Sequence, residues 1–262
     1  YSSGKPAYGV GAGNAVVVID ETADLAETAV KIRIGKTGDN ASGCSAENSL
    51  VIHESIYDEM LELLKEQGGY LVSQEEKARL QEVMWADGHL SRDIVAKPVE
   101  RIANLSAINI PDKTTFLIVQ ETGIGKDYPF SGEKMSLVLT VYKYSEFEEA
   151  IDQVNRITAY SGYGHSCGIH SNSQDHIMQL ALNTKTTKVI VRQPHGVANS
   201  GAWFNGLANT FSLGCGTWGG NIVSENVTQK HYMNTTWVAE PIDRQPASEE
   251  EIFGDLLTTV NV

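Results

Sequence analysis

The run Ala15-Val16-Val17-Val18-Ile19, then a helical stretch from Thr22 to about Lys36, then Leu50-Val51-Ile52, decides the fold. Four of the first five residues are β-branched and none is polar, so the run reads as a strand buried on both faces. Leu25, Ala29 and Ile32 recur at helical spacing, with Thr22 as the expected cap. Strand, helix, strand is the repeating unit of a parallel sheet, because parallel neighbours need a crossover between them.

The alternation continues along the chain. Ser55-Ile56-Tyr57-Asp58 and Ser73-Gln74-Glu75-Glu76 have capping-box spacing and should each open a helix, and Pro98 should start a short one. Thr115–Val119 and Leu137–Tyr142 read as strands, and Ser145-Glu146-Phe147-Glu148 heads a helix to about Ile157. A helix near Asp175–Leu182 precedes a strand over Val189–Arg192. The expected class is α/β, a largely parallel sheet flanked by helices. One core is expected over residues 1–217. A less patterned segment follows over 218–262, where Glu249-Glu250-Glu251 reads as a solvated helix start.

Composition narrows the function. With 20 Lys and Arg against 33 Asp and Glu, the formal charge is −13, which argues against a nucleic-acid partner. No run approaches the ~18 consecutive apolar residues of a membrane-spanning helix, and no signal-peptide pattern is present. Cys44, Cys167 and Cys215 are too few and too scattered for a disulfide framework, so a reducing, cytoplasmic setting is expected.

Three groups of residues bear on chemistry. Gly9-Val10-Gly11-Ala12-Gly13 has the glycines of a dinucleotide fingerprint, but a strand follows them where the fingerprint needs a helix. A tight turn feeding a strand accounts for it. His165-Ser166-Cys167-Gly168-Ile169-His170 lacks the second ligand pair of a zinc site, so no metal is expected. Cys44 lies among small residues, Asn40-Ala41-Ser42-Gly43-Cys44-Ser45-Ala46-Glu47. It is either a nucleophile with room for a substrate, served by turn amides and by an imidazole such as His165, or a buried thiol acting as a small hydrophobe.

Taken together, several segments resemble the CoA-acylating branch of the aldehyde dehydrogenase superfamily. They are Gly9–Asn14 with Val17–Asp24, Asp39-Asn40 with Cys44–Glu47, Pro129–Lys134 with Leu137–Val141, Gly164-His165, and Leu213–Asn221 with Ser224–Asn226. The resemblance covers nearly the whole chain in one order. It implies the catalytic domain of that fold, with the N-terminal Rossmann-like cofactor domain missing. It also implies a C-terminal segment that packs on that domain or on an oligomer partner, and a piece that is inactive alone.

The resemblance further implies that Cys44 is the nucleophile, that NAD or NADP takes the hydride, and that coenzyme A takes the acyl group. Hydrolytic members carry a water-activating Glu in a Glu-Leu-Gly-Gly-Lys motif, where this chain has Gly9–Gly13 and no carboxylate. A water-activating base contributes about 10²–10⁴-fold, so its loss favours a thiol acceptor. Glu133 matches the glutamate that binds the nicotinamide ribose, although the residues after it depart from the family's Glu-Ile-Phe-Gly-Pro. His165 matches a histidine that handles a proton or positions CoA.

Within the branch, Phe130–Lys134, Gly164–His170 and Trp203–Gly206 look most like sulfoacetaldehyde dehydrogenases, with acetaldehyde and succinate semialdehyde enzymes as siblings. Arg192, His195 and Asn205 are the expected sulfonate donors. A small aldehyde and CoA are the expected partners, in a homo-oligomer. The competing readings are a non-catalytic assembly piece, or a cofactor-free thiol acyltransferase or thioesterase using Cys44 and His165.

Overall fold

The structure, a computed structural model, describes residues 1–254 and 256. Two compact units divide the chain, Tyr1–His231 and Tyr232–Val262. The first contains β1 (Ala15–Ile19), α1 (Leu25–Thr37), β2 (Glu47–His53), α2 (Tyr57–Glu66), β3 (Gly69–Leu71), α3 (Gln74–Met84) and α4 (Val99–Leu105). It continues with β4 (Phe116–Gln120), β5 (Val138–Tyr144), α5 (Phe147–Tyr160), β6 (Cys167–His170), α6 (Gln174–Asn183), β7 (Val189–Val191) and α7 (His195–Ala198).

The strands form one seven-stranded sheet in the order β3-β4-β5-β2-β1-β6-β7, and every pairing is parallel. All five residues of β1 are buried, as its unbroken apolar run requires. One face packs Val17, Ile19, Leu50 and Ile52 against Ala29 and Ile32 of α1 and Met60 and Leu64 of α2. The other packs Val16, Val18 and Val51 against Ala150, Val154 and Ile157 of α5.

Local details differ from the sequence reading where side chains found better partners. Asp24, rather than Thr22, caps α1 by accepting from Glu27 N. Thr22 is taken by Asp20 and by the backbone of Asn172. Ser55 closes no capping box, because its backbone N–H goes to His53 Nδ1. Ser73 and Glu76 do form one. Pro98 is the cap of α4 rather than its first residue, and at α5 the box falls on Glu146 and Glu149, one residue later than expected.

The second unit contains α8 (Glu249–Phe253), opened by a capping box between Ser248 and Glu251 and exposed throughout, in line with the charge run. Residues 213–227 belong to the first unit, where Leu213, Cys215, Asn221, Asn226 and Val227 are buried. Among the described residues, no helix is long and apolar enough to cross a membrane.

Candidate active site

In a parallel sheet every strand starts at the same end, and here those starts carry the chemistry. Ala15 of β1 pairs with Glu47 of β2, so Cys44, three residues before Glu47, lies just beyond the sheet beside the segment that leads into β1. There Gly13 passes so close that a Cβ on it would stand 2.6 Å from Cys44 Cβ and would collide with the Cys44 carbonyl oxygen. The turn before the cysteine is wound left-handed at Asp39, Asn40 and Ala41, with φ of 47°, 51° and 56°. Asp and Asn tolerate that region, but an alanine held there is strained. The Ser42 hydroxyl clips the turn by donating to Asp39 Oδ2 at 2.5 Å.

His165 lies two residues before β6, at the same end. Its Nε2 is 3.2 Å from Cys44 Sγ, although the two residues are 121 positions apart. Its Nδ1 meets Ser166 Oγ at 2.7 Å. His165 is buried, and burial first, then the charges of His195 and Lys188, push its pKa down to about 3. The imidazole is therefore neutral at physiological pH. Cys44 is half-buried. Burial, with the negative charge of Glu133 behind it, raises its pKa above the usual thiol value, and a hydrogen bond from Ser45 partly opposes this. Both shifts favour the neutral thiol and imidazole over a thiolate–imidazolium pair.

Glu133 precedes β5 and its carboxylate accepts from the Gly13 N–H; burial pushes its pKa up to about 7. The surroundings of Cys44 thus do include a carboxylate, supplied from elsewhere in the chain than the Gly9–Gly13 segment. Removing its charge favours the thiolate, so Glu133→Gln should speed iodoacetamide labelling of Cys44 about threefold at mildly alkaline pH. A slower reaction would show that Glu133 does not act on the sulfur through its charge.

The other expected site residues fall in different places. His195, the first residue of α7, is buried behind the turn that carries Cys44, with Nδ1 2.7 Å from Ser45 O and its backbone N–H donating to Glu47 Oε1 at 2.7 Å. It props the turn and faces no open space. Asn205 spends its side chain on its own loop, donating to Gln193 Oε1 and Ala198 O and accepting from Ala202 and Leu207. Arg192 follows the last residue of β7, at the opposite end of the sheet from Cys44, and donates to Ser171 O at 2.7 Å. Arg192 therefore stands at the far end of the sheet from the cysteine, and the side chain of Asn205 is spent within its own loop.

Lys188 stands immediately before β7; burial lowers its pKa, and the charges of Cys215 and then Cys44 partly oppose this. It lines a cavity of about 410 Å³ with Gly206, Ala208 and Ser224, next to one of about 390 Å³ that shares Thr187 and Ser224. Cys215 is buried under Gly11, where a Cβ would stand 2.8 Å from its sulfur. Cys167 packs against Thr184 and Thr186. Among the described residues, one group of metal-capable side chains converges, Asp20, Glu21 and His176, at the far end of β1; Asp20 is already bonded to Thr22 and His176.

Sequence reasoning missed Ser45, Ser166, Asn199 and Lys188. The serines adjoin Cys44 and His165 and could have been suspected from that adjacency. Asn199 sits in a loop with no pattern to mark it.

No protein-family model matches the chain. It is 46% identical, over 99% of its length, to a sulfoacetaldehyde dehydrogenase from an Acholeplasma species, of which it covers 54%. It is 43% identical over 99% of its length to a sulfoacetaldehyde dehydrogenase (acylating) from Cupriavidus necator, of which it covers 53%. The chain thus spans about half the length of these curated relatives. Among solved structures, an acetylating aldehyde dehydrogenase from Geobacillus thermoglucosidasius superposes with a TM-score of 0.89 at 36% identity, covering 95% of this chain and 55% of that one. Sequence and superposition agree: over nearly its whole length the chain is similar to about half the length of acylating aldehyde dehydrogenases.

Proposed function

We propose that this chain carries the acyl-transfer centre of an enzyme that converts a small aldehyde, CoA and NAD(P)+ to an acyl-CoA, with sulfoacetaldehyde as the substrate. The observation that carries the reading is the 3.2 Å approach of His165 Nε2 to Cys44 Sγ. Cys44, as thiolate, adds to the aldehyde carbonyl to give the alkoxide of a thiohemiacetal, and loss of hydride from that alkoxide leaves a thioester on the sulfur. The nicotinamide, when bound, accepts that hydride. CoA, its thiol proton lost to solvent, then attacks the thioester carbon as thiolate, and Cys44 departs as thiolate. The half-buried carboxylate of Glu133 beside Cys44 suits a ribose diol, which offers it two donors.

Lys188 supports the choice of an anionic substrate, since a sulfonate near the sulfur needs a cation and Lys188 is electrostatically coupled to Cys215 and Cys44. In the complete enzyme, product analysis should find sulfoacetyl-CoA formed as NAD(P)H appears. Lys188→Met should raise the KM for sulfoacetaldehyde about tenfold while sparing acetaldehyde, and Arg192→Met should change neither. Release of free sulfoacetate with CoA unconsumed would remove the acyl-transfer reading. Equal effects of Lys188→Met on both aldehydes would remove the substrate.

A further inference from the structure

Asn199 is fully buried and its side-chain nitrogen has two partners, Ser45 Oγ at 2.9 Å and Ser166 Oγ at 3.0 Å. Both protons of that amide are therefore spent on hydroxyls. Each hydroxyl, having accepted from Asn199, keeps its own proton to donate. Ser166 Oγ has one other partner, His165 Nδ1, so its proton points there and Nδ1 is the unprotonated nitrogen. In a neutral imidazole the proton is then on Nε2, which faces Cys44 Sγ. Ser45 adjoins Cys44, and its hydroxyl opposes the rise of that thiol's pKa, the effect of a donor to the same sulfur.

We infer that Asn199 is a positioning residue whose amide sets the direction of both hydroxyls, so that Cys44 sulfur receives hydrogen bonds from Ser45 Oγ–H and His165 Nε2–H. His165 is then a donor to the thiolate rather than an acceptor of its proton. Such donors stabilise the sulfur as an anion twice, when it attacks and when it leaves the thioester. The inference rests on the proposed function only in taking Cys44 as the nucleophile.

The opposite polarity is disfavoured by the burial of the amide. As it stands, Asn199 leaves one buried atom without a partner, its oxygen Oδ1. Turning the amide over would point Oδ1 at the two hydroxyls, reverse every bond in the chain and strand two N–H donors where one oxygen now sits. Unpaired buried donors are the rarer and costlier defect.

The test needs neither cofactor nor substrate. In the chain labelled with ¹⁵N-histidine, with His165→Asn used to assign the signal, His165 should give the Nε2–H pattern at neutral pH. Asn199→Asp replaces two donors with acceptors. It should turn His165 to the Nδ1–H form and slow alkylation of Cys44 about tenfold at mildly alkaline pH, shifting its pH profile upward. Ser166→Ala should abolish the tautomer preference but slow alkylation only about twofold, because the Ser45 donor remains. If Asn199→Asp does not fold, the wild-type spectrum and Ser166→Ala still decide. An Nδ1–H pattern in the wild type overturns the inference, as does an unchanged tautomer in Asn199→Asp. Loss of acyl-CoA formation in the complete enzyme, with the Nε2–H pattern intact, would instead count against the proposed function alone.

Discussion

Cys44→Ala in the complete enzyme should lower acyl-CoA formation by at least about 10⁴-fold and leave the thermal unfolding midpoint nearly unchanged. The loss follows from chemistry, since alanine offers no atom on which a thioester can form. The fold should tolerate the change because Cys44 is half-buried and packs at the end of the sheet rather than within it. Cys215 cannot take over: it is buried under Gly11 and its pKa is raised by burial. Cys167 is buried against Thr184 and Thr186. Steady-state assay with a melting curve on the same preparation checks both halves. Activity above about one per cent of wild type would mean that another group carries the acyl transfer.

Gly13→Ala should be the most damaging of the small substitutions. The added methyl would collide with the Cys44 carbonyl oxygen and stand 2.6 Å from Cys44 Cβ, and the obstacle is backbone, which cannot swing aside. Overpacking of this kind costs about 1–3 kcal/mol or more, and a nucleophile displaced by about 1 Å loses on the order of 10²-fold in rate. The expected result is a lower denaturant midpoint together with a fall in kcat of that size. The Gly13 N–H also holds the Glu133 carboxylate, so the same shift should disturb the alkylation profile of Cys44. Wild-type stability and kcat in Gly13→Ala would show that the strand leader does not pack on the nucleophile turn.

Much of this architecture was legible because unbroken apolar runs and helical spacing are local signals. β1 was found that way at both its ends, and β2, β4 and β5 within one to three residues of theirs. β3 was missed: Gly69-Tyr70-Leu71 is three residues at the edge of the sheet, follows a glycine turn and has no period to detect. Thr22 misled because Asp20 and Asn172 compete for its hydroxyl, a contact made across 150 positions for Asn172.

The site was less legible for the same reason. Cys44 and His165 were candidates from their own residues, but a resemblance was needed to choose their roles, since no local pattern joins residues 121 apart. Arg192 and His195 are three residues apart in sequence, yet one ends a strand at the far edge of the sheet and the other props the nucleophile turn. Parallel sheets commonly bind ligands at the carboxyl ends of their strands, so the pairing of Lys188, His165 and Cys44 at the amino ends runs against the usual expectation. Those residues share a site because each stands just before a strand, which only the sheet order reveals.

The central claim is that the acyl group travels on the sulfur of Cys44. Incubating the complete enzyme with aldehyde and NAD(P)+ but no CoA, quenching in acid and mapping peptides by mass should find one acyl adduct, on the peptide that contains Cys44, and added CoA should discharge it. An adduct on Cys167 or Cys215, or hydride transfer with no acylated peptide at all, would contradict the account.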